Sequence, residues 1–146
     1  VENLPALKGR QHPMDLSGIV SANGNTGWLY GNSIAHEGIL TATEIARLDL
    51  SNTELVVLSA CYTGDGLVRS DGVFGLQRAF KKAGVKSLIL SLWNEDDESG
   101  CRMMIEFYSR LIKDGLDRHE AFESAKNEIR RNYPHPSYWA GFIMID

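Results

Sequence analysis

Cysteine is scarce in this chain: Cys61 and Cys101 are the only two among 146 residues. Two thiols are too few for a disulfide scaffold, and without a CxxC spacing they make no zinc site. Free thiols in a reducing, cytoplasmic compartment are the simpler expectation, with no metal and no cofactor. Long apolar runs are missing too. None approaches the roughly 18 to 20 residues of a membrane helix, so no membrane is expected as a partner. The opening Val1-Glu2-Asn3-Leu4-Pro5 has neither the basic start nor the apolar stretch of a signal peptide. It also lacks an initiator Met, which points to a processed product or an excised piece of something longer. Basic clusters are short, Lys81-Lys82 and Arg130-Arg131 being the densest, and the formal net charge is -4. A nucleic-acid partner, which calls for a basic face, is therefore not expected.

What remains is an apolar fraction of 43%, enough for one domain with a real core. A short strand is expected near Leu16–Ala22, then loops rich in Gly and Asn. Thr41-Ala42-Thr43-Glu44 has the form of a capping box ahead of a short helix ending near Asp49. Glu54–Ala60 is a continuous apolar run of the kind that suits a strand buried on both faces. The stretch Cys61–Asp71 reads as a loop. Val73, Leu76, Phe80 and Ala83 mark one helix face, which Gly84 ends. Val85–Trp93 is a second buried strand. An acidic loop, Asn94–Glu98, leads into a helix whose apolar face is expected at Cys101, Met104, Ile105, Tyr108, Leu111 and Ile112, with Cys101 structural. Gly115 ends that helix. A further helix places Ala121, Phe122, Ala125 and Ile129 inward, and Trp139–Ile145 is a last strand. Helices between strands imply parallel neighbours, hence an α/β sandwich. Sites in such sheets lie at the carboxyl ends of strands, where Cys61, Trp93 and the acidic loop all fall.

A thiol at a strand end, followed by Gly64 and Gly66, suits a nucleophile. It reacts as thiolate, needs a base to take its proton, and needs backbone N–H groups to hold an oxyanion. The plainer alternative is a small buried hydrophobe.

The segment Leu55-Val56-Val57-Leu58-Ser59-Ala60-Cys61-Tyr62-Thr63-Gly64-Asp65-Gly66 resembles the cysteine motif of CHAT domains, caspase-like proteases often joined to repeat arrays. Further blocks resemble the family in the same order. They are Gly38–Ile45, Gly72–Phe80, Gly84–Ser87, Ser91–Asp97 and Tyr138–Phe142, so the likeness runs from about Ser17 to the end. It implies a caspase-like three-layer sandwich with a mostly parallel sheet, and Cys61 as the nucleophile of a Cys-His dyad. Tyr62 stands where the family has Glu, a position that bears on substrate preference. The family's A-T-H-G type histidine motif has no counterpart among His12, His36, His119 and His135, each of which reads as a surface residue. The chain is therefore expected to supply the C-terminal part of one protease domain, residues 1–146. The catalytic histidine would lie on an N-terminal half, on a preceding or separate chain.

By the same resemblance Ser91, Leu92 and Trp93 would run along a bound peptide by strand addition, Trp93 walling a side-chain pocket. Core packing is the alternative for Trp93. Asp97 is the residue expected to favour a basic side chain before the cut, unless it or Asp96 serves only to cap the helix. The resulting expectation is a cysteine endopeptidase acting on a peptide or protein, regulated by processing, by tetratricopeptide-type repeats or by a sensor partner. A non-catalytic interaction module on the same scaffold is the competing reading.

Overall fold

The computed structural model describes Met14 and residues 17–21, 38–58, 67–69, 72–93 and 96–146. In chain order the elements are β1 (Gly18–Val20), β2 (Ile39–Thr41), α1 (Ala42–Ile45), β3 (Leu55–Leu58), β4 (Leu67–Arg69), β5 (Gly72–Phe74), α2 (Leu76–Lys82), β6 (Ser87–Ser91), α3 (Asp97–Ile112), α4 (Arg118–Asn132), a 3-10 turn (Pro136–Tyr138) and β7 (Phe142–Ile145). The fold is mixed α/β and divides into two units, residues 1–54 with 64–86, and residues 55–63 with 87–146.

In the first unit β1 and β2 pair antiparallel, with Gly18 opposite Thr41. A Cβ at Gly18 would stand 2.7 Å from the Leu40 carbonyl oxygen, so the close approach of the two backbones requires glycine there. Thr41 then caps α1 as its sequence predicts. Its Oγ1 accepts from the Glu44 N–H at 3.2 Å, and the Glu44 carboxylate accepts from the Thr41 N–H at 2.8 Å. Helix α2 buries Leu76, Ala79 and Phe80. Gly84 follows it with φ +101°, the left-handed geometry that ends a helix. Val73, predicted on this helix, lies instead in β5, which pairs antiparallel with β4. The segment predicted as one loop thus contains a strand, β4, paired with β5.

The second unit holds a sheet of order β3–β6–β7. All five residues of β6 are buried, as a strand packed on both faces demands, whereas the four of β3 are only half-buried. β3 and β6 run parallel, with Leu55 opposite Ser87 and Leu58 opposite Leu90. β7 departs from the expected parallel arrangement: it pairs antiparallel to β6, Ser91 opposite Phe142. Two helices in series separate these strands. One carries the chain back along the sheet and the next returns it, so β7 enters at the end where β6 leaves.

Ile89 packs with Met103, Phe107, Ala121, Phe122, Ala125, Ile129 and Phe142 in one buried cluster, so the inward face predicted for α4 is the observed one. The face predicted for α3 is only partly so: Met104 and Leu111 pack against the cluster. Ser99, Gly100, Met103 and Phe107 are buried, while Ile105 and Ile112 are 61% and 74% exposed and Cys101 is an exposed free thiol. At roughly 100° per residue these are opposite sides of one helix. Both are apolar, so periodicity alone counted Cys101, Ile105, Tyr108 and Ile112 as inward when they are exposed. Among the described residues no helix is long and apolar enough to cross a membrane.

Candidate functional site

Residues from β6, α3 and the segment before β7 converge at the carboxyl end of the sheet. Parallel pairing sends β3 and β6 out of the sheet at the same end, Leu58 beside Leu90. In sequence Cys61 follows Leu58 by three residues and Trp93 follows Leu90 by three. Cys61 itself lies outside the described residues.

Ser91 is buried, and its hydroxyl donates to the Trp93 carbonyl. The Leu92 N–H donates to the Gly141 carbonyl at 3.0 Å, which prolongs the β6–β7 pairing by one step. The Trp93 indole N–H donates to the Ser137 carbonyl at 3.1 Å. Trp93 is thus half-buried, with its polar edge held by the 3-10 turn. It is not a core side chain.

The acids next to it divide their roles. Asp96 caps α3, its carboxylate accepting from the Ser99 N–H at 3.0 Å. Glu98 pairs with Arg102 at 3.0 Å and accepts from the Tyr133 hydroxyl at 3.1 Å. Asp97, the first residue of α3, is exposed, and neither a hydrogen bond nor an ion pair joins it to a described residue. It sits in the first turn, where the helix dipole favours an anion. Partial burial, followed by the bond to Glu98, raises the Tyr133 hydroxyl above the ordinary tyrosine range.

Two histidines are described. His119 Nε2 lies 3.4 Å from Asp146 Oδ2. The Ser87 hydroxyl also donates to Asp146, which puts this cluster at the amino end of β6, away from Trp93. His135 is exposed and caps the 3-10 turn, its Nδ1 accepting from the Ser137 N–H. His12 and His36 lie outside the described residues.

Sequence reasoning missed the partners of Trp93. Tyr138 of the 3-10 turn meets Tyr133 with centroids 5.3 Å apart and planes tilted by 37°, and the Arg102 guanidinium stands 5.9 Å from the Tyr133 ring centroid. The available signal was Tyr133-Pro134-His135-Pro136-Ser137-Tyr138, a proline-bracketed turn too aromatic to be a mere linker.

A family model, described as the CHAT domain, matches residues 7–146. Tetratricopeptide repeat protein 28 of Homo sapiens and of Mus musculus are each 35% identical over 111 residues. That match covers 75% of this chain and 4% of either relative. No solved structure matches it. With the family model spanning nearly the whole sequence, this chain belongs to the CHAT domain family.

Proposed function

We propose that this chain carries the nucleophile and one wall of the substrate cleft of a caspase-like cysteine endopeptidase. The observation that carries the reading is the Leu58–Leu90 register. It sends the cysteine strand and the candidate substrate strand out of the sheet at one end, with equal lengths of chain to Cys61 and Trp93. A peptide laid along Ser91–Trp93 by strand addition would then bring its scissile carbonyl to the thiol.

The chemistry follows from the residues. A free thiol ionises near about pH 8.5, so a base must take its proton at neutral pH. His119 is paired with Asp146 at the amino end of β6, and the Nδ1 of His135 is already an acceptor. Because the family's A-T-H-G type histidine motif has no counterpart in this sequence, the resemblance assigns the base to an N-terminal part of the domain. The thiolate adds to the carbonyl carbon, backbone N–H groups hold the oxyanion, and the amine leaves with the proton from the histidine. Water then hydrolyses the thioester. Asp97, exposed in the first turn of α3 four residues after Trp93 in sequence, favours a basic residue before the cut.

The curated relatives are named for tetratricopeptide repeats, and such repeats are the regulatory partner proposed here, in a reducing compartment. Cleavage of reporter peptides ending in Arg or Asp by the full-length protein tests the reading. The Arg reporter should be cut faster, and Cys61→Ala should abolish both activities. Equal rates would remove the role of Asp97. No cleavage with an upstream histidine in place would favour the non-catalytic module.

A further inference from the structure

His135 stands between Pro134 and Pro136 and begins the 3-10 turn. Its Nδ1 accepts from the Ser137 N–H at 3.3 Å and lies 2.8 Å from the Ser137 hydroxyl oxygen. The carbonyl of that same serine takes the Trp93 indole N–H. The side chain at the end of β6 is therefore suspended from a turn whose first hydrogen bond is made by an imidazole.

A capping acceptor needs a lone pair. Neutral imidazole offers one at the unprotonated ring nitrogen, and the imidazolium ion offers none, since both nitrogens then donate. The titratable and charged groups around the ring come from every neighbouring element. Tyr138, in the turn itself, meets it edge-on at 6.4 Å between centroids. Tyr133, at the end of α4, meets Tyr138 at a tilt and donates to Glu98 of α3. Arg102 of α3 covers Tyr133, and Arg130 of α4 covers Trp139. None of these replaces the imidazole as acceptor for the Ser137 N–H.

We infer that His135 is a positioning residue: its neutral ring, by accepting from the Ser137 N–H, holds the Pro136–Tyr138 turn, and through Ser137 the Trp93 side chain, in the arrangement that receives a peptide, and protonation, which leaves the ring only a bond to the Ser137 hydroxyl oxygen beside the backbone bonds of the turn, loosens both. The inference rests on reading Ser91–Trp93 as the substrate strand.

Fluorotryptophan-labelled full-length protein provides the test, with Trp93→Phe assigning the resonance. The fluorine shift of Trp93 and the affinity for an arginine-terminated peptide are followed against pH, together with the ring resonances of His135. As His135 takes up its proton, the Trp93 signal should move and the peptide Kd should rise several-fold. His135→Asn, whose side-chain carbonyl caps without titrating, should hold both at their neutral-pH values throughout. His135→Ala should show the acid-state shift and affinity at every pH. A Trp93 signal indifferent to pH and to His135→Ala overturns the inference. If the wild type binds peptide and His135→Ala leaves its affinity unchanged, the positioning role fails alone. If the wild type binds no peptide at any pH, the substrate reading of β6 fails, and the positioning role with it.

Discussion

Phe107 of α3 meets Phe122 of α4 edge to face, their ring centroids 6.4 Å apart and their planes at 78°. Edge-to-face pairing suits the ring quadrupoles, and both side chains are buried in the cluster around Ile89. This contact fixes which side of α3 belongs to the core. Truncation should therefore separate the two apolar faces of one helix. Phe107→Ala should cost about 3 to 5 kcal/mol through lost contacts and a cavity. Ile112→Lys, on the opposite face, should stay within about 0.5 kcal/mol. Urea denaturation of both variants checks the contrast, and equal losses would mean that the outer face is covered.

The neighbouring acids should part in the same way. Asp96 accepts from the Ser99 N–H as N-cap of α3, so Asp96→Ala should cost about 1 kcal/mol of stability. Asp97→Asn should cost only about 0.3 kcal/mol, its share of the helix-dipole interaction, and lower the preference for an arginine-terminated peptide. Calorimetry together with peptide hydrolysis distinguishes the two roles.

Asp49 provides a pH dependence. The Ser51 hydroxyl and then the Ser51 N–H donate to its carboxylate, at 2.6 and 3.2 Å, and hold its pKa below the ordinary 3.8. A depressed folded pKa means that the unfolded chain binds the proton first. The contribution is therefore present above 3.8 and is lost as pH falls through the lower, folded value. Asp49→Asn should flatten that part of the stability profile. Urea midpoints measured across the acid range read it directly, and an unchanged slope would contradict the assignment.

Features set by local chemistry were legible before the structure. Thr41 and Glu44 form their reciprocal cap, and Gly84 and Gly115, expected at helix ends, have φ of +101° and +68°. β6 needed only its uninterrupted apolar run. What was misread depends on which other residues are near. α3 is apolar on two sides, and only packing against α4 and Ile89 selects Phe107 over Ile105. β7 reverses because two helices, not one, precede it. β4 and β5 are too short to announce their pairing. At the site, Trp93 and the acids could be located by position along the chain. The Ser137 carbonyl that holds the indole comes from 44 residues away, beyond the reach of any local pattern.

The central claim is that the thiol three residues past Leu58 meets a peptide held three residues past Leu90. An acyloxymethyl ketone peptide ending in arginine, added to the full-length protein, measures this most directly through the residue it modifies. Mass spectrometry should find the adduct on Cys61, absent after Cys61→Ala and strongly reduced after Asp97→Asn. Modification of the exposed Cys101 in its place, at a rate no higher than that of a peptide-free ketone, would contradict the account.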